Sequence, residues 1–201
     1  MAPPGRRSPS DGSQISLTNR RLEGSTPEDS PLLPDPLHPA VVHFPVALAF
    51  LAPALAVLGA VLVAKGAKPL QGWSPVVLAA ALLLAGAIVA VETGEDQEDR
   101  VEDIVPENAL ELHEERGELV RNVAAVAFVL SALGLLGGRY GWIARGLAGA
   151  ALAGVLAAAW VTGKTGGELV YRHGAASAYA NEQPSAQSPE SSGDGEDEDD
   201  D

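Results

Sequence analysis

The chain has 201 residues and a formal net charge of -14, yet 46% of it is hydrophobic and only 4% aromatic. Charge and apolarity are therefore segregated along the sequence, and the lack of a basic patch argues against nucleic-acid binding. With no cysteine, disulfides, thiolate metal sites, iron–sulfur clusters, covalent c-type haem and cysteine nucleophiles are excluded.

Residues 1–36 are rich in Pro, Ser, Gly and Asp and show no periodicity, which predicts a disordered tail. No apolar run follows Arg6 and Arg7, so no cleavable signal peptide is expected. The stretch LHPAVVHFPVALAF at 37–50 then carries two histidines, His38 and His43, and two prolines, Pro39 and Pro45, and opens the first of four apolar blocks. These blocks cover 44–64, 74–91, 120–136 and 146–162; only Arg121 and Asn122 interrupt them, near the start of the third. Roughly 17–25 residues are needed to cross the hydrocarbon of a bilayer. Helices are expected near 44–64, 74–91, 119–136 and 146–163, with helical extensions around 109–117 and 168–173. Pro45 should kink the first helix, and Gly174 should cap the last extension. Residues 175–201 end in GDGEDEDDD and read as a second, acidic, disordered tail. No ionisable side chain lies mid-span, which argues against a pump or secondary transporter.

The connections alternate in kind. Residues 65–73 and 137–145 are short and carry Lys65, Lys68, Arg139 and Arg145 with no acid, whereas 92–117 is long and acidic. Short basic loops favour the cytoplasm. Both termini and the long loop are then expected outside it, with Trp73, Tyr140 and Trp142 as an interfacial belt on the inner face. Rows of small residues, Ala52-Ala56-Ala60-Ala64, Gly134-Gly138 and Ala150-Gly154-Ala158, are expected at helix contacts.

The two halves share landmarks. His43, Gly72-Trp73 and Thr93-Gly94 correspond to His113, Gly141-Trp142 and Thr162-Gly163, and Trp to Thr is 20 residues in both. The expected fold is all-α: a four-helix transmembrane bundle built from two parallel two-helix repeats, related by an axis along the membrane normal.

All four histidines, His38, His43, His113 and His173, are separated by even numbers of spans, so they belong to one membrane face. Leu110, His113, Gly117 and Val120 share a helical face, as do Gly166, Leu169, Val170 and His173. Imidazoles beside glycine on apolar helical faces suit axial ligation of b-type haem. His43 and His113, the symmetry mates, are the expected axial pair, with His38 and His173 outside it. Glu92, Glu111 and Glu114 lie on the same face and allow an imidazole–carboxylate site for a divalent metal instead. Neither HExxH nor paired ExxH occurs, no Ser–His–Asp grouping can be assembled, and GKTGG at 163–167 lacks the P-loop pattern.

HPAVVHFPVAL at 38–48, HEERG at 113–117 and TGGELVYRHG at 165–174 resemble the bacterial membrane family named domain of unknown function 2231. The resemblance covers 37–174 and implies a multi-pass protein of the bacterial inner membrane with no established activity. Three classes stay open: a b-haem redox or sensing module, a divalent-metal protein, and a non-catalytic scaffold with structural histidines. The lipid bilayer is the expected partner, with a redox partner or a second copy undetermined.

Overall fold

Apolar blocks and charged connections alike fold as helix. The computed structural model describes residues 36–180, and among them there is no strand. The expected tails at 1–35 and 181–201 lie outside the described residues. The helices are α1 (Leu37–Val41), α2 (His43–Ala64), α3 (Pro69–Gly72), α4 (Ser74–Glu95), α5 (Glu98–Val101), α6 (Glu107–Leu133), α7 (Gly138–Tyr171) and α8 (Ser177–Ala180). The expected extensions at 109–117 and 168–173 are continuous with α6 and, to Tyr171, with α7, because Glu, Leu, Arg and Lys are strong helix formers whether or not they face apolar surroundings. Only Val42, itself at right-handed helical dihedrals, separates α1 from α2, so Pro45 lies one turn past that join. Gly174 takes φ +75 just after α7, the left-handed conformation that closes a helix. Residues 175–180, expected in the tail, continue the fold: Ala175 N–H donates to Leu169 O and Tyr179 Oη to Gln97 Oε1.

Each long helix packs on two others, α2 on α4 and α7, and α6 on α4 and α7. Named contacts give the directions. Phe44 and Pro45 at the start of α2 lie by Gly86 late in α4; Trp73 before α4 lies by Gly134 after α6; His113 early in α6 lies by Gly166 late in α7. Neighbours in that series are thus antiparallel. One end of the molecule holds α1 and the ends of α4 and α7; the other holds Trp73 and the α6–α7 turn.

The core is built largely of alanine: Ala49, Ala52, Ala56, Ala79, Ala80, Ala124, Ala127 and Ala148 are buried around Trp73, Leu83, Leu152 and Val155. Small side chains let helix axes approach, which gives dispersion contact where water expulsion contributes little. The α2 row runs Ala49, Ala52, Ala56, Gly59, following the 3.6-residue period rather than a strict four. On α7 the expected row is not the buried one, although Gly154 lies by Val123 of α6. Ala150 and Gly154 are exposed, and the buried row is Ala144, Ala148, Leu152, Val155.

Trp73 does not join a belt. It is fully buried, and its indole N–H donates to Ser131 O at 2.8 Å. Gly59 and Gly134 make room for it: a Cβ on Gly134 would run into the indole ring, and one on Gly59 would meet the Gly72 carbonyl and crowd the ring at 3.1 Å. Tyr140 and Trp142 are exposed, as expected. Three helical segments, Leu37–Ala64, Ser74–Glu95 and Gly138–Tyr171, are long and apolar enough to cross a membrane. Large apolar side chains cover the outer faces of all four long helices, including Phe50, Leu78, Val126, Val129 and Leu147.

Candidate functional site

At the α1 end, two histidine rings approach each other from different helix pairs. His38 sits on α1, and its Nδ1 lies 2.8 Å from the Ala90 carbonyl of α4. The carbonyl can only accept, so Nδ1 carries the proton and Nε2 keeps its lone pair. Thr93 Oγ1 stands 3.4 Å from the same nitrogen and is itself turned to Val89 O at 2.8 Å. Gly94 borders the ring, where a Cβ would stand 3.3 Å from Cε1.

His113 on α6 meets α7 in the same way. Its Nδ1 is 3.0 Å from Thr165 Oγ1, and that hydroxyl donates its hydrogen to Thr162 O at 2.9 Å. With its hydrogen committed, the hydroxyl accepts from Nδ1–H, so Nε2 is again the free lone pair. Gly166 borders this ring more tightly, with a Cβ position 2.9 Å from Cε1. One turn earlier, Thr162 Oγ1 reaches Arg116 O at 3.1 Å and ties α7 to α6. The two ring centres are 6.2 Å apart with planes at 89°. Burial, and secondly charge on His38, hold the His113 imidazole below the ordinary histidine value. Two neutral imidazoles with free Nε2 atoms can ligate one metal ion or exchange a proton.

The structure thus brings His38, not His43, beside His113. His43 is exposed, and its Nδ1 donates back to Pro39 O at 2.6 Å on its own helical turn. The expected axial pairing of His43 with His113 is corrected on that geometry. His173 is half-buried beyond the end of α7, where its backbone N–H donates to Glu168 O. The carboxylates group elsewhere. Glu92 is exposed; Glu111 and Glu114 line an acidic cleft with Glu98, Glu102, Asp103 and Glu107. Burial, then the charge of Glu98, pushes the Glu114 carboxyl above the usual carboxylate range. Among the described residues, no three or more His, Asp or Glu side chains are arranged to hold a metal ion.

Thr93, Gly94, Thr165 and Gly166 shape the site, and the sequence signal for them is a Thr-Gly pair at each helix end. The count of 20 residues from tryptophan selects Thr162-Gly163 instead, one turn short of the pair that touches His113.

An all-helical fold with three helices long and apolar enough to cross a membrane, and with large apolar side chains on its outer faces, is that of a membrane protein. A family described as a predicted membrane protein (DUF2231) matches residues 34–178, and the chain belongs to that family. No curated protein and no solved structure matches the chain.

Proposed function

We propose that this is a four-span protein of the bacterial inner membrane whose His38–His113 pair ligates one non-covalent b-type haem in a redox module. The observation that carries the reading is the ring pair itself. With metal–nitrogen bonds of about 2.0–2.1 Å, and about 1.1 Å from each nitrogen to its ring centre, two imidazoles on opposite sides of one ion have centres about 6.3 Å apart. The observed separation is 6.2 Å. Both Nδ1 atoms donate to oxygens, the outer-sphere bond that fixes a ligating imidazole and leaves Nε2 for the metal. A porphyrin supplies four ligands of its own, so two protein ligands suffice. A divalent ion without it would need more, and Glu92, Glu111 and Glu114 do not join the pair. Two axial imidazoles saturate the iron, which suits electron transfer with a redox partner better than gas binding.

The fourth span is the apolar part of α6 beyond Gly117. It touches α4 near both ends, Gly117 by Val91 and Gly134 by Trp73, so whatever layer α4 crosses α6 crosses too. Two parallel halves are supported by matching contacts: His38 with Ala90 O, Thr93 and Gly94, and His113 with Thr162 O, Thr165 and Gly166. The basic short loops put the Trp73 end in the cytoplasm and the histidine end outside.

A structural reading of the same bonds competes, because His38 ties α1 to α4 and His113 ties α6 to α7. An absorption spectrum of the detergent-purified chain, with iron analysis, separates them. The haem reading expects a low-spin Soret band and one iron per chain, abolished by His38→Ala or His113→Ala and kept in His43→Ala. No Soret band, or equal loss in all three variants, would refute it.

A further inference from the structure

We propose that Arg145 forms a binding site for a phosphate group at the Trp73 end of the molecule. Arg145 lies on α7 and is 3% exposed. One guanidinium nitrogen, Nη2, donates to Leu136 O at 3.0 Å, capping the turn between α6 and α7. Its Nε is buried without a partner. The guanidinium lies 5.0 Å from the Trp142 ring centre and 5.9 Å from that of Trp73. Ser131 Oγ, on the residue whose carbonyl receives the Trp73 indole, is a second buried polar atom without a partner.

A buried guanidinium of this kind is normally matched by a carboxylate, because an unpaired buried charge costs several kcal/mol. No carboxylate of the described residues can serve. There is no Asp or Glu in 36–91 or in 119–167, so every one lies in 92–118 or is Glu168, toward the histidine end. The Trp73 end holds Lys65, Lys68 and Arg139 besides Arg145, all of one sign. The missing counter-charge must then come from outside the described residues. Arginine's planar fork matches phosphate oxygens, and the exposed one of its two indole neighbours, Trp142, is a side chain of the kind that sits at headgroup depth. Basic pockets between membrane helices take phosphate-bearing headgroups in this way. A phosphate group reaches such a site either on an anionic lipid or as the free ion.

The test measures thermal unfolding of the full-length protein in detergent with added phosphatidylglycerol, phosphatidylcholine or inorganic phosphate. Phosphatidylglycerol should raise Tm by about 5–10 °C at saturation, while phosphatidylcholine, whose phosphate is already paired with its own choline cation, should not. An equal rise with inorganic phosphate supports the site and names the free ion as its occupant; a rise with the lipid alone names the headgroup. Arg145→Met, which removes the charge and keeps an apolar stem, should abolish the difference between the two lipids. Should that variant fail to fold, Arg145→Lys keeps charge without the fork and should weaken the response at least several-fold. A combined Lys65→Gln, Lys68→Gln, Arg139→Gln variant should keep most of it. No rise with either phosphatidylglycerol or inorganic phosphate, or a full response in Arg145→Met or Arg145→Lys, overturns the proposal, as does loss of the response in the triple variant alone.

Discussion

The two ends of this helix assembly are made of similar words and do opposite things. At the Trp73 end a large side chain is buried completely, and glycines on two other helices are shaped around it. At the histidine end the two rings are only half-buried, and glycines again border them, but the buried surface is small and the polar atoms are oriented rather than hidden. The first arrangement spends glycine on packing; the second spends it on holding an imidazole close to a helix with one nitrogen left free. A glycine on a helix face is thus no guide to role until the group that fills its space is known.

The comparison is most easily broken by exchanging the effects of substitutions at the two ends. Trp73→Ala removes a fully buried indole and its bond to Ser131 O, and should cost about 3–5 kcal/mol in reversible unfolding. It should leave any histidine-end spectrum unchanged per folded molecule. His38→Ala or His113→Ala should cost only about 1 kcal/mol each, the net worth of one hydrogen bond, while removing the spectrum. If the histidine variants proved as destabilising as Trp73→Ala, that end would be a packing element and the distinction would fail.

Threonine substitutions sharpen it at finer scale. Thr165→Val deletes the hydroxyl that accepts from His113 Nδ1 and leaves it the Thr162 carbonyl, so cofactor retention should weaken about 10-fold. Thr162→Val, one turn away and bonded to Arg116 O instead, should change retention far less. Thr93→Val should also be mild, because Ala90 O already accepts from His38 at 2.8 Å against 3.4 Å for the hydroxyl. Haem titration into the apoprotein of each variant gives the ranking; a larger loss from Thr162 than from Thr165 would contradict it.

These residues also mark where sequence stopped being informative. The apolar blocks and the Gly174 cap follow from local chemistry and are readable directly. Gly72-Trp73 and Gly141-Trp142 are the same dipeptide, yet one tryptophan is buried and the other exposed. Gly59 and Gly134 decide that, from distant parts of the chain. His38 and His43 share one short segment, and which of them faces His113 depends on the rotation of α1 against α4. Thr162 and Thr165 lie one turn apart on α7, and only the height of α6 beside them selects the partner of His113. Each failure is a question of rotation or register between helices, which periodicity within one helix does not contain.

The smallest expected effect is on pH, and its two ends carry opposite signs within one region. His113 has its pKa lowered by burial and by His38, so the native state binds its proton less readily than the unfolded chain does. Stability from this group is fully present above the unfolded value of about 6.5 and is lost as pH falls through the lower folded value. Glu114 is the reverse. Its carboxyl is raised by burial and by Glu98, so its contribution is present below the unfolded value of about 4.3 and is lost as pH rises through the raised one. Unfolding measured from pH 4 to 8 should therefore show stability falling as pH drops below about 6.5, with Glu114 protonation offsetting part of the loss at the acid end. His113→Gln should flatten the upper slope and Glu114→Gln the lower one, each leaving the other in place. Haem on Nε2 would compete with the proton, so the loaded protein should lose stability on acidification more steeply than the apoprotein. A slope unchanged by His113→Gln would mean that this imidazole is solvated like any surface histidine, and the pair would lose its claim to a site.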